Sequence, residues 1–426
     1  MAHIEERRRA FAAILGDPLV AAVREEAGET PAHLTGGALR DLALGRAAPD
    51  LDFIVAAGGE AIADSVARRF GLHTVRLGGG RYRAWRLTRS GLTIDLWELD
   101  GTSLDADLWR RDLTVNALAL DLRSGEVRDP TGGLADLERR RLRATRPAVF
   151  TEDPVRCLRL PRLALELTGF TVDQVTLAAA RSAADRLPGC PSERLRGELE
   201  QILGSPSWSA AVAWILRLDL LPILLSPAGV GVARRLAAAS EAVTALDEPL
   251  DRVGEETRGT EPAELALRWA FLAALGGNPP AVEASLLSAA LEKGLLTRAD
   301  FRDVERILAP GLSAPDGPVA LRSWLHAAGS LWTEGLRLGR ALDVEAGAPR
   351  RWDAVSAAIS ELSPAELEAI LRPPLLLDGN EVRELLGIRP GPEVGAALAR
   401  IRTRQIEGAI RSPEEAREFL LAMRDG

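Results

Sequence analysis

Lysine is nearly missing from this chain: Lys293 stands alone among 426 residues, beside one tyrosine, two cysteines and four histidines. Each scarcity excludes a class of chemistry. A single lysine outside any GxxxxGK context leaves no Walker A phosphate loop, and no GxGxxG follows a strand-like run. Cys157 and Cys190 lie far apart with no CxxC, which argues against a disulfide framework or zinc site and for two small core residues. Long apolar runs are scarce as well. Glu5–Arg9 are charged with no apolar stretch behind them, so no signal peptide is expected. The most apolar segment, Trp214–Val232, is broken by Arg217, Asp219 and Pro222 and is not expected to span a membrane. A cytoplasmic protein is expected.

What remains is 46% hydrophobic and 27% charged, the balance of a soluble globular chain, and its length suggests roughly two to four structural units. Almost every cation is an arginine, whose planar fork suits phosphates and base edges. A net charge of -8 excludes a uniformly basic nucleic-acid surface, although a partner responds to local patches rather than to the sum.

Strand and helix signals mix only in the first third. His33–Thr35, Leu51–Val55, Thr74–Leu77, Arg83–Leu87 and Leu92–Leu96 read as strands, with a helix over Ala38–Leu44 and a glycine turn at Gly78-Gly79-Gly80. After about Arg143 the strand signals stop, and helices run almost to the end. Breaks are expected at Asp247–Glu261 and Pro310–Pro318. The fold class is therefore α+β: a small mixed-sheet head followed by a long all-α remainder.

Asp50-Leu51-Asp52 sets two carboxylates on one face of a strand, because side chains alternate with a period of two. They repel unless a cation lies between them, and a divalent metal for phosphoryl transfer is one such cation. Taken alone, such a pair is more often two solvated acids at a strand edge. Gly36-Gly37 at a helix start lets backbone N–H groups approach a triphosphate, and Arg40 follows one turn later. Asp95, mid-strand in Leu92–Trp97, joins the acids if its strand neighbours that of Asp52. Arg156, Arg159 and Arg162 recur at helical spacing as one basic stripe, which by itself is also a solvated face.

The run GGALRDLALGRAAPDLD resembles the GG-x-x-R-D…D-x-D signature of the polymerase-β-like nucleotidyltransferases, specifically the class II tRNA CCA-adding enzymes and bacterial poly(A) polymerases. The resemblance extends through Arg111-Asp112-Leu113-Thr114-Val115-Asn116-Ala117, similar to RRDFTxNA with Leu113 in place of the usual Phe, and through Asp129-Pro130…Gly132-Gly133…Asp136-Leu137. Glu152-Asp153…Arg156…Arg159…Arg162 resembles the EDxxRxxRxxR helix, and Ser192-Glu193-Arg194…Glu198 the last neck motif. The ordered series from Gly36 to Glu198 is more specific than any of its members.

The resemblance implies that Asp50 and Asp52 bind Mg²⁺, with Asp95 as a third catalytic acid. It implies that Gly36, Gly37 and Arg40 hold the triphosphate, Arg111 contacts the nucleotide, Asp112 orients the ribose and Asn116 braces the backbone. Asp153 and Arg156 would select the base of CTP or ATP by hydrogen bonds, with Arg159 and Arg162 lining the same nucleotide site. The expected division is a catalytic head over 1–143, a base-selecting neck over 144–206, a helical body over 207–370 and an RNA-binding tail over 371–426. No His-Asp dipeptide occurs among His3, His33, His73 and His326, so the HD phosphohydrolase domain of many relatives is not expected. Near the end, Leu385–Gly395 resembles a G-x-x-P-G-P-x-x-G segment of long relatives that opens a helix after Pro392, with Arg400, Arg402 and Arg404 following; a packed helix-turn-helix explains it equally well.

The implied activity is template-independent addition of C and A to the 3′ end of tRNA from CTP and ATP, with no membrane partner. A poly(A) polymerase shares nearly every motif, and a non-catalytic RNA-binding relative is the alternative from another class. Only Glu98–Trp109 separates the third-acid strand from Arg110-Arg111-Asp112, where many CCA-adding relatives have a larger flexible segment. That keeps a CC-adding enzyme open.

Overall fold

The computed structural model describes residues 2–48, 50–77, 83–89, 92–99, 101–225, 228–247, 261–275, 281–348 and 351–424. The chain divides into two compact units, 1–190 and 191–426, so the segment 144–206 straddles their boundary. The expected glycine turn at 78–80 and most of the break at 247–261 lie outside the described residues.

The first unit is built on a seven-stranded sheet. Its strands are β1 (Ala32–Thr35), β2 (Asp50–Val55), β3 (His73–Leu77), β4 (Arg83–Arg89), β5 (Leu92–Glu98), β6 (Ala119–Asp121) and β7 (Val127–Arg128), in the order β3-β4-β5-β2-β1-β6-β7. Only β2 and β5 run parallel; the other pairings are antiparallel. Alternation sorts the faces. Leu51, Phe53, Val55, Trp85, Leu87, Ile94 and Leu96 are buried, and the residues between them carry the acids on the opposite side.

Among the helices of this unit, α1 (Ala2–Ile14), α2 (Pro18–Ala27), α3 (Gly37–Ala43) and α4 (Gly59–Phe70) precede or interleave with the first strands. Gly59 opens α4 directly over Trp85: a Cβ there would fall 2.3 Å from the indole ring, so only glycine lets the helix settle. The helices α5 (Leu104–Trp109), α6 (Gly133–Glu138), α7 (Val149–Glu152), α8 (Arg156–Glu166) and α9 (Gln174–Ala184) complete the unit. Strand signal does not end at Arg143 as expected, because β8 (Arg141–Leu142) pairs in parallel with β9 (Thr171–Val172). Two residues are too few for any periodicity to register.

The second unit is helical throughout its described residues, from Ser192–Leu203 to Pro413–Arg424. The run Trp214–Val232 divides into separate short helices, with Asp219 held at φ 52 between the first two. The break expected at 310–318 falls between Arg298–Gly311 and Gly317–Ala328. One apolar cluster gathers Leu325, Trp332, Leu336 and Ile359 around Trp324 and Trp352, whose ring centroids are 5.6 Å apart. A separate cluster (Leu377, Val382, Ile401, Leu420) holds the last helices together, including Pro392–Ile406 after Gly391. Arg402 and Gln405 of that helix donate to the carbonyls of Pro373 and Pro374, so part of its polar face is spent on packing. Among the described residues no helix is long and apolar enough to cross a membrane.

Candidate active site

The parallel pairing of β2 with β5 sets Asp52 opposite Asp95, and Asp50 lies two residues earlier on the same face of β2. On the far side of β5, Arg86 of β4 is in register with Asp95 and grips it with both ends of its fork, Nε–Oδ1 2.8 Å and Nη2–Oδ2 2.6 Å. Asp52, Asp95 and Arg86 thus form a row across three strands, with Asp50 two residues along β2 from Asp52. Sequence reading found the acids and missed Arg86. Its signal was present: Arg86 falls on the same alternation of β4 that buries Trp85 and Leu87.

Burial pushes the Asp52 carboxyl up to about 6; Asp95 and Asp50 add to the rise and Arg111 opposes it. Because this pKa is raised on folding, stability is lost as pH climbs from the unfolded value through 6, and the full cost is present above it. Asp52→Asn should therefore raise the unfolding stability measured in EDTA at pH 8 by about 1–3 kcal/mol, with little gain at pH 4. Equal effects at the two pH values would contradict the assignment.

Among the described residues, no group of three or more acid, imidazole or thiolate side chains converges as a ready-made metal cage. Asp95 is committed to Arg86, whereas Asp50 and Asp52 are tied up in no ion pair among the described residues. That arrangement fits a magnesium-like ion, which takes one or two carboxylates and completes its shell with water and substrate phosphates. Asp50 and Asp52 are the residues that would hold it.

The turn from β1 into α3 comes against the acids. Gly36 has φ 78, and a Cβ on it would fall 2.6 Å from Asp52 Oδ2 and 3.4 Å from Arg111 Nη1, so both conformation and space demand glycine. No side chain caps the first turn of α3, which begins at Gly37. Arg40 is braced on both sides: it pairs with Asp41 at 2.9 Å and donates from Nη1 to Asn116 Oδ1 at 3.0 Å. Asn116 then donates from Nδ2 to Asp112 Oδ1 at 3.1 Å. One amide therefore couples Arg40 to Asp112 and the second part of the site.

Asp112 is buried, yet its carboxyl stays below the usual range. Burial pushes it up, and Arg159 (3.6 Å), the Leu113 N–H (2.7 Å), the Asn116 amide and Arg156 together outweigh that push. Leu113, in the position of the family Phe, is itself buried and bridges to Ala144. Arg111 lies 3.4 Å from Asp107 and beside Gly36. The α8 arginines divide. Arg156 donates to the Arg110 carbonyl at 2.8 Å and lies 3.5 Å from Asp153; Arg159 faces Asp112; Arg162 pairs with Glu166 at 2.7 Å, one turn farther along. Burial pulls Arg156 below its ordinary pKa.

Behind the site stands a buried brace. Asp129 caps α6 by accepting from Gly133 N (2.7 Å) and Leu134 N (2.9 Å). Asp136, fully buried, accepts from Thr114 Oγ1, Arg141 Nε and Arg143 Nε at 2.7, 2.7 and 2.8 Å. A Cβ on Gly133 would fall 2.1 Å from the Thr114 carbonyl oxygen, so glycine lets α6 press onto the Thr114–Asn116 turn. Cys157 is buried and Cys190 only half-buried, which corrects the expectation of two core thiols; neither forms a disulfide.

A mixed sheet that presents acids from two parallel neighbours, beside a glycine turn against those acids, defines the head of a nucleotidyltransferase. Residues 32–143 match the poly A polymerase head domain, and residues 169–228 match a probable RNA- and SrmB-binding site of polymerase A. The chain belongs to the family of tRNA nucleotidyltransferases that includes the CCA-adding enzymes and bacterial poly(A) polymerases. It is 30% identical to the CC-adding tRNA nucleotidyltransferase of Geobacter sulfurreducens, over 91% of each chain. It is 32% identical to the A-adding tRNA nucleotidyltransferase of Deinococcus radiodurans, over 91% of this chain and 94% of that one. It is similar in structure to the Bacillus stearothermophilus CCA-adding enzyme in complex with CTP, at 25% identity, TM-score 0.68 and 98% coverage of both chains.

Proposed function

We propose that this protein adds nucleotides to the 3′ end of tRNA, using CTP and ATP without a nucleic-acid template. The single observation that carries the reading is the in-register row Asp52–Asp95 with Asp50 beside it, facing the Gly36 turn. In this reaction the acceptor 3′-hydroxyl gives up its proton to solvent as its oxygen attacks the α-phosphate; the new P–O bond forms while the bond from the α-phosphorus to the bridging oxygen breaks, and pyrophosphate leaves. Mg²⁺ held by Asp50 and Asp52 would supply positive charge to the triphosphate and the attacking oxygen. Arg40 and Arg111 meet the phosphates, and Asn116 keeps Arg40 aligned through its hydrogen bond. Asp112 faces the ribose. Asp153 and Arg156 offer an acceptor and a donor to the base edge, and the Arg110 carbonyl fixes the guanidinium that must read it. We place the activity in the cytoplasm, and the helices over 371–426 on the RNA.

A narrower reading, addition of two cytidines only, has an observation in its favour. The connection between β5 and Arg111 is short, and its residues 103–109 are fastened down. Ser103 caps α5, Leu108 is fully buried with Ala117 and Ala119, and Arg128 grips Asp105 at 2.7 and 2.6 Å. Such contacts oppose a swing that would remodel the pocket between C and A. Product length decides between the readings. With tRNA ending at its discriminator nucleotide, CTP alone should extend the chain by two residues, and CTP with ATP should leave that length unchanged if synthesis stops at CC. A third residue, A, discards the narrower reading.

A further inference from the structure

Trp97 takes no part in the network described above. It lies two residues beyond Asp95 on β5, on the same face of the sheet, and is 38% exposed. Its cross-strand partners, Ile54 and Ala84, are both buried. Arg86, in register with Asp95, keeps its side chain 46% exposed while it holds the acid. Strand order fixes the geography: β4 and β5 lie on one side of Asp52, and β1 with its Gly36 turn on the other. The triphosphate elements gather at the turn, which leaves the Trp97–Arg86 side for the second substrate.

We propose that Trp97 is the stacking platform for the terminal base of the acceptor RNA, with Arg86 against its backbone phosphate. This rests on the nucleotidyltransferase reading above. Two positions along a strand span about 6.8 Å. That is comparable to the reach from a ribose hydroxyl to its base, so a base on Trp97 leaves the 3′-hydroxyl of the same nucleotide at the acids. The chemistry also fits the task. The terminal base changes as synthesis proceeds, and hydrogen bonds made for one base would reject the next. An aromatic face accepts each in turn, because every base has a π-face.

The test uses the full-length protein and a tRNA transcript lacking its CCA end, with three variants at one position. Trp97→Ala should raise KM for tRNA roughly 5- to 100-fold and leave KM for CTP within about twofold. Trp97→Phe should restore most of the acceptor affinity; Trp97→Leu, which keeps apolar bulk without an aromatic face, should not. Arg86→Gln should weaken tRNA binding and lower the salt dependence by about one phosphate contact. Equilibrium binding of the same tRNA is measured in parallel. A protein that binds tRNA but transfers nothing defeats the functional reading, while the binding constants of the variants still judge the platform. An unchanged tRNA constant in Trp97→Ala, recovery by Leu equal to Phe, or a rise confined to CTP overturns the proposal.

Discussion

Asp52→Ala is expected to lose CMP incorporation into tRNA by on the order of 10³-fold or more, while the protein remains folded. Asp52 is the acid nearest every other element of the site: it pairs across the sheet with Asp95, lies two residues from Asp50, and nearly touches the space above Gly36. Its carboxyl is already costly to keep ionised in the free protein, so its removal relieves the fold rather than damaging it. The loss of rate should therefore appear with an unchanged or raised unfolding midpoint. That combination separates a catalytic acid from a structural one. Activity preserved in Mg²⁺ would remove Asp52 from the metal site.

The second large effect concerns which nucleotide is chosen. Replacing Asp153 or Arg156 with alanine should relax the preference for CTP and ATP over UTP and GTP by roughly 5- to 150-fold, the worth of one good bidentate pairing with a base edge. Triphosphate affinity should change far less, because Gly36, Arg40 and Arg111 belong to a different part of the site. Arg156 suits the role of a fixed reader: its side chain is largely buried, it donates to the Arg110 carbonyl, and Asp153 lies 3.5 Å away. Misincorporation measured with each nucleotide separately checks this. Intact discrimination together with a collapse in overall nucleotide binding would make the pair a phosphate clamp.

The parts of this molecule legible in the sequence are those with local periodicity. Asp50 and Asp52 share a face because strands alternate, and Arg156 and Arg159 fall one turn apart because helices do. Register is different. Nothing local says that β2 pairs in parallel with β5 at Asp52 and Asp95, or that Arg86 then closes on Asp95; those facts arise only when strands distant in the chain align. Asn116 is similar, since its two hydrogen bonds reach Arg40 and Asp112 on different elements. Short elements escaped for another reason. The strands Ala119–Asp121, Val127–Arg128 and Thr171–Val172 and the helix Leu104–Trp109 are each below the length at which a pattern repeats. Arg162, grouped with its helix neighbours by spacing, also pairs with Glu166, because a helical stripe does not dictate what each member meets.

The acid row of the head is expected to transfer a nucleotide to the 3′-hydroxyl of tRNA. The most direct measurement supplies purified protein with labelled CTP, Mg²⁺ and tRNA lacking its CCA end, alongside the same tRNA after periodate oxidation of its terminal ribose. Label should join the intact tRNA at its 3′ end and be absent from the oxidised one. No label on intact tRNA, or equal labelling of both, would contradict the account.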